Sequence, residues 1–436
     1  MVRLSIVLID LLLHPRHRHA ALGLIASLVV ACAAPAAPPA TSTAPVATIG
    51  PITSVSQTAT VEPSTEQSAE PTGWLPAASM LTGRHGFDAI LLGDGTVLAV
   101  GDDYACQPGG AVSGSERAEL FDPVADAWIE VESLNKPRKS PATIALQDGS
   151  AIVVGGINAD DYPFSSTKIF STTTRAWRDG PLLDLARGDP LAAALGDGRV
   201  LVVSDTGSRS SEVTSEIYDP SAAAWSRAAS PPATVDIREL VALTDDRVLA
   251  VAFDHTDSEP QPAILVYESA IDAWRRIDAP RAFFGFELAA LPDGGALVMG
   301  GQEGGELAGG DAVLATVDRL DIRTGRWAPA TSMATPRLRP AVALLVDGRV
   351  LVAGGASASE YQPGAHALQT TEIYDPSTDR WAAGPDLFEP RMGGYAVVLQ
   401  DGSILLLGGT ASLNTEGETP YCPQPLSSVE RYFPAS

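Results

Sequence analysis

Seven times along the chain an apolar run meets a short polar turn and resumes as a second apolar run: "AILLGDGTVLAV", "TIALQDGSAIVV", "AAALGDGRVLVV", "VALTDDRVLAV", "AALPDGGALVM", "VALLVDGRVLVA" and "VVLQDGSILLL". Six of the seven turns are Asp-Gly and the other is Asp245-Asp246. Asp-Gly accepts positive φ at both central positions of a two-residue hairpin, so each segment predicts a tight hairpin. The arms do not alternate apolar with polar, which predicts sheets covered on both faces. In step with the hairpins runs a second ladder, an extended stretch, a turn and a tryptophan: "LFDPVADAW" ending at Trp128, "IFSTTTRAW" at Trp177, "IYDPSAAAW" at Trp225, "VYESAIDAW" at Trp274, "RLDIRTGRW" at Trp327 and "IYDPSTDRW" at Trp381. With Trp74 included, successive tryptophans lie 48 to 54 residues apart. Self-similarity at such a period means stacked or radially repeated units.

Each unit predicts four strands: two hairpin arms, a third strand ending at the Tyr-Asp-Pro turn and a fourth opened by the tryptophan. Asp can bond its own backbone two residues on and Pro presets φ, so neither continues a strand. The last unit stops one strand short at "RYFPAS", while "GWLPAASM" is a fourth strand with no unit before it. The count balances if the N-terminal strand completes the C-terminal unit, closing a ring of seven blades. The repeat resembles the kelch family of β-propellers, which pairs a Gly-Gly after the second strand with a Tyr before the third turn and a Trp opening the fourth strand. Gly155-Gly156, Gly300-Gly301, Gly354-Gly355 and Gly408-Gly409 keep the glycine pair; "VGDD", "VSD" and "AFD" replace it in blades one, three and four. The expected fold is all-β, a seven-bladed propeller over residues 73–436.

The chain has 40 Gly, 34 Pro and a formal charge of −24. Turns and thin sheets suit the first two, and the charge disfavours nucleic acid and anionic lipid, whose phosphates need Lys and Arg. Residues 1–31 carry basic "HPRHRH" and apolar "AALGLIASLVVA" in the order of a secretory signal. Val29-Val30-Ala31-Cys32 resembles the bacterial lipobox, implying lipid on Cys32, cleavage before it and an extracytoplasmic, envelope-anchored protein. Residues 32–72 are dominated by Ala, Pro, Thr and Ser, the composition of a disordered stalk. Cys106 and Cys422, in the two-to-three loops of blades one and seven, are expected to form a disulfide across the ring seam.

Candidate chemistry falls on the inner strands and loops. Ten residues before the turn Asp stand Arg84, Arg138, Arg187, Arg337 and Arg391. They enter the innermost strand and are expected to ring the channel mouth. Two readings remain open for them: framework residues bonding carbonyls of a neighbouring blade, or a funnel that captures a carboxylate or sulfate. The first is expected of Arg138 and Arg187, the second of Arg84, Arg337 and Arg391 beneath longer loops. Six residues before the turn stand Asp88, Glu239 and Glu287, either salt-bridged or a catalytic carboxylate. Tyr104, Tyr361 and Tyr421 in the long loops, with Tyr162 beside them, are candidates for sugar stacking or a protein partner.

Galactose oxidase, with a related propeller, implies a copper site of histidines, tyrosines and a tyrosine-linked cysteine, but His85, His255 and His366 are scattered over blades one, four and six and no residue-by-residue match exists. No metal or cofactor is expected. The leading expectation is a monomeric, surface-tethered, non-enzymatic module binding a glycan or a protein on its loop face. The alternative is a metal-free sugar isomerase, similar to the kelch-propeller sialic-acid mutarotase, working in the arginine-lined funnel.

Overall fold

A computed structural model describes residues 72–84, 87–101, 115–158, 160, 162–205, 213–243, 246–256, 261–279, 286–302, 312–358, 366–411 and 425–435. These form seven four-stranded antiparallel sheets, with no helix among the described residues. Blade one runs Phe87–Leu91, Val97–Gly101, Ala118–Asp122 and Ala127–Val131, each strand pairing with the next. Five further blades repeat that order. Blade seven takes Tyr395–Val398, Ile404–Leu407 and Val429–Phe433 from the C-terminal end and Gly73–Ala77 from the N-terminal end. Trp74 pairs with Tyr432 and Ala77 with Val429, so the ring closes three-plus-one as expected.

The buried apolar residues lie in layers between blades, as expected when a thin sheet has no core of its own. Across the seam, Phe87, Val97, Phe121 and Trp128 of blade one pack with Val397, Leu405, Leu407 and Val429 of blade seven. Across the next interface, Leu98, Val100 and Leu120 of blade one meet Ala151, Val153 and Phe170 of blade two.

The inner hairpins sit where the Asp-Gly pairs predict, but their turn is of another type. Leu92 N–H donates to Thr96 O at 2.8 Å and Gly95 N–H to Leu92 O at 3.0 Å, a three-residue loop in which only the glycine, at φ 86°, is left-handed. Asp94 instead accepts from the Thr96 N–H at 3.1 Å and hydroxyl at 2.6 Å. In blade four Asp246 takes the left-handed place, at φ 64°.

The tryptophan ladder is a clasp between blades. In blade six Trp381 stacks on its register partner Tyr374 with centroids 5.0 Å apart. Its indole N–H donates to Thr331 O of blade five at 2.7 Å. Asp379, left-handed at φ 52°, accepts both the Tyr374 hydroxyl at 2.8 Å and the Thr331 N–H at 2.9 Å. The same set joins Ala229 to Asp272 and Trp274, with the Tyr267 hydroxyl on Asp272, and all but the hydroxyl joins Ala78 to Asp126 and Trp128, where Phe121 replaces the tyrosine. The motif recurs because each blade must grip the outer strand of the one before it. Trp74 and Trp225 keep the ring stacking, but their indole N–H groups find no acceptor among the described residues.

Candidate functional site

The five arginines do not line a funnel. All are 0–1% exposed and lie inside the blades. Arg337 donates to Gly354 O at 2.7 Å, Thr370 O at 2.8 Å and the Glu372 carboxylate at 3.1 Å. Arg84 holds Gly101 O at 2.6 Å and Glu119 at 2.7 Å. Arg391 holds Gly408 O and Glu430, both at 2.9 Å, and Arg187 holds Thr214 O at 2.8 Å and Glu216 at 2.9 Å. The expected division between structural and ligand-facing arginines is therefore corrected: Arg84, Arg337 and Arg391 are as enclosed as Arg138 and Arg187. Burial outweighs any anion-trapping geometry here, because a guanidinium out of water must spend its donors on protein acceptors.

The glycine pairs belong to the same framework. Gly409 N–H donates to the Arg84 carbonyl of the next blade at 3.2 Å, and a Cβ on Gly408, at φ 59°, would stand 2.7 Å from that oxygen. Equivalent amide bonds run from Gly156 to Arg187, Gly301 to Arg337 and Gly355 to Arg391. The glutamate partners escaped the sequence reading. Their signal is a Glu two residues before the turn aromatic, as in "EIYD", and it becomes meaningful once strand three is seen beside the arginine.

The acids six residues before the turns do reach the channel-side strands. Asp88 is committed to the neighbouring blade, accepting the Thr143 N–H at 2.8 Å. Glu239 lies on the inner strand of blade four, Val235–Ala242, and Glu287 opens the inner strand of blade five, Glu287–Ala290. Blade four departs from the others: its pairing register shifts between Ile237 and Glu239, a bulge centred on Arg238. Such bulges re-aim side chains. Arg238 turns to Asp236 at 2.7 Å and to the Phe253 ring at 5.4 Å. Glu239 and Glu287 stand within each other's field. Burial raises the Glu287 pKa well above the carboxylate range, the charge of Glu239 raises it further, and Arg339 opposes both. Arg339, which the sequence reading did not single out, precedes the inner strand of blade six and adopts φ 50°. Two half-buried glutamates and one arginine, from blades four, five and six, thus act on one another's charge.

Tyr104, Tyr361, Tyr421, Cys32, Cys106, Cys422 and His85 lie outside the described residues, as do most of the long loops. Tyr162 is described and 66% exposed. Among the described residues no three His, Cys, Asp or Glu side chains are grouped to hold a metal ion, and His255 and His366 sit in blades four and six. The residues described do not supply a copper donor set.

No family model matches the chain. The curated "Kelch-like protein terF" of Aspergillus terreus is 33% identical over 99 residues, which is 22% of this chain and 21% of that protein; the chain thus matches about a fifth of that relative's length. A solved structure described as a "Novel fungal alcohol oxidase with catalytic diversity among the AA5 family, in complex with copper" superposes with a TM-score of 0.64 at 16% identity, over 83% of this chain and 76% of that one. Another, described as "Structure of YjhT", reaches a TM-score of 0.46 at 12% identity, over 81% of this chain and 96% of that one. At 16% identity the likeness to the oxidase is one of fold alone. By its blade topology the chain is a seven-bladed β-propeller, and its repeat is similar to that of a kelch-like protein.

Proposed function

We propose that this propeller is a recognition module whose ligand, a glycan or a protein segment, engages the loop-face end of the channel through Glu239, Glu287 and Arg339. A kelch-type propeller is a binding scaffold, and what carries the finer reading is the bulge at Arg238, which departs from the regular repeat beside the acid pair. A carboxylate accepts hydroxyl protons, a protonated carboxyl donates one, and a guanidinium donates several in a fixed plane, a set suited to a polyol or a polar peptide. A glycan and peptide array on the chain from Gly73 onward tests this, with Glu287→Gln as the control. Loss of a wild-type signal in that variant is expected, and retention of every signal would overturn the assignment.

The same pair has a consequence for stability. A carboxyl whose folded pKa is raised binds its proton more tightly in the native state. Stability is therefore greatest below the ordinary carboxylate range and falls as pH rises from there through the raised pKa. Glu287→Gln is expected to melt about 2 °C above the wild type at pH 8 and level with it at pH 4. Parallel melting curves across that range would show that the pair is not perturbed.

A second reading has one observation in its favour: a glutamate whose pKa is raised by burial and by a neighbouring glutamate is the kind of pairing that acid–base chemistry on a sugar uses. Metal-free anomerisation of free sugars, followed by exchange NMR and abolished in Glu287→Gln, would select it over simple binding.

We also propose that the propeller is tethered. Lipid on Cys32 and a stalk over residues 32–72, with a coil reach of roughly 35 Å, would hold the ring off an envelope membrane. Cys32→Ser is expected to shift the protein wholly into the soluble fraction and to remove lipid from its mass spectrum. Unchanged membrane partition would rule the tether out.

A further inference from the structure

Blade two breaks the arginine framework at one position. In blades one, three, six and seven the framework glutamate serves two masters: it takes the guanidinium, and it takes backbone N–H groups from the crossover turn just before the arginine. Glu372 accepts from Ala334 at 2.7 Å and Thr335 at 3.1 Å, and Glu430 from Phe388 at 2.7 Å and Glu389 at 3.2 Å. Glu216 accepts from Asp184 and Leu185, and Glu119 from Leu81. The corresponding stretch of blade two reads "TKIFS", Thr167–Ser171, so that Lys168 stands in the glutamate's place.

The consequences are visible on each former partner. Arg138 keeps its carbonyl bonds, to Gly155 O at 2.7 Å and Ser166 O at 3.0 Å, and lies over the Phe164 ring at 4.6 Å. No carboxylate among the described residues bonds it; its Nε has no acceptor, but neither has the Nε of Arg391, which keeps Glu430 at 2.9 Å, so the loss peculiar to blade two is that of the carboxylate itself. Burial pushes its pKa down to about 10, with only Asp179 acting against that. The turn amides of Asn135 and Lys136, three and two residues before Arg138 as Ala334 and Thr335 are before Arg337, donate to nothing among the described residues. Lys168 pairs across the strands with Asp179 at 2.7 Å, but that carboxylate is 83% exposed. A third cation, Lys136, stands 5.9 Å from the Phe164 ring. Where four blades enclose a carboxylate, blade two gathers two buried cations, a rim lysine and two open amides around one solvent-screened acid.

We propose that blade two binds an oxyanion, a sulfate, phosphate or carboxylate group, at the position that a framework glutamate fills in its neighbours. The donors are the Asn135 and Lys136 amides and the Lys136 and Lys168 ammoniums, a mixture of point charge and backbone N–H that suits an oxyanion, with the buried Arg138 guanidinium adding its charge from beneath. The site lies at the crossover end of the blade, on the loop face. It is independent of the glutamate pair.

Calorimetric titration of the full chain with sodium sulfate, against a sodium chloride background of equal ionic strength, tests it. The wild type is expected to take up one sulfate saturably in the millimolar range. Lys168→Glu, which restores the internal carboxylate, is expected to weaken uptake at least tenfold and to raise the melting temperature in chloride. Lys168→Met, which removes one cation without adding an acid, is expected to weaken it several-fold and decides the matter if the glutamate variant does not fold. A sulfated disaccharide run in parallel distinguishes sources: tighter uptake than inorganic sulfate assigns the group to a larger ligand, equal uptake to the free ion. No saturable uptake by the wild type, or unchanged uptake in both variants, would overturn the proposal.

Discussion

Deleting residues 1–78 is expected to yield an aggregating protein with a melting temperature lowered by more than any single substitution achieves. The deletion removes the strand Gly73–Ala77, whose register on Val429–Phe433 closes the ring. Trp74, 5% exposed and 5.2 Å from Tyr432, packs against Leu345, Leu351 and Leu387 of blade six and leaves a large void when lost. Truncating a buried tryptophan alone costs about 3–5 kcal/mol. Ala78 goes with it, and with Ala78 go the acceptor of the Trp128 indole and the donor to Asp126, so blade one loses its clasp at the same stroke. The bared strand is a template for edge pairing. Size-exclusion chromatography and thermal melts check this; a truncated chain that stays monomeric with an unchanged melting temperature would show that the N-terminal strand does not hold the ring.

The arginine framework carries the second large effect, and blade two is its internal control. Arg337→Met leaves Glu372 buried at 4% exposure with its countercharge gone, which is expected to cost about 3–5 kcal/mol. Replacing Glu372 by Met in the same chain should recover much of that loss, since a pair removed together leaves no stranded charge. Arg138→Met strands no carboxylate and relieves a cation already held down by burial; its cost is expected to be smaller, about 1–2 kcal/mol for the unmet carbonyls. Chemical denaturation midpoints of the three variants and the wild type give the comparison. Equal losses at Arg337 and Arg138 would mean that packing of the side chain, and not its charge partner, sets the energy.

Much of this molecule is legible along the chain because its signals are local. Asp-Gly turns, Tyr-Asp-Pro turns and the tryptophan that follows them each fall within a dozen residues, and their recurrence every 48 to 54 residues places the blades and pairs the orphan N-terminal strand with the last blade. The turn type was not legible in the same way. Asp-Gly is compatible with a two-residue and a three-residue loop, and the pairing of whole strands decides between them, leaving Asp94 right-handed and only Gly95 left-handed.

The candidate site was legible in position and misread in direction. An arginine at the entrance of an inner strand can turn toward the channel or into the blade, and nothing within ten residues of Arg337 distinguishes the two. The deciding partner, Glu372, lies 35 residues away on the third strand. Without that partner in view, the replacement of glutamate by Lys168 is one more lysine on a strand, and the pairing of Glu239 with Glu287, on the inner strands of adjacent blades, is two unrelated acids. The sequence by itself determined the repeat, the number of blades and the closure of the ring, because these rest on periodic burial and turn chemistry that each unit carries within itself. Only the tertiary structure decided which charges are buried, which are paired and which blade lacks its acid, because burial and charge pairing depend on side chains that meet when strands from distant parts of a blade, or from neighbouring blades, come into contact.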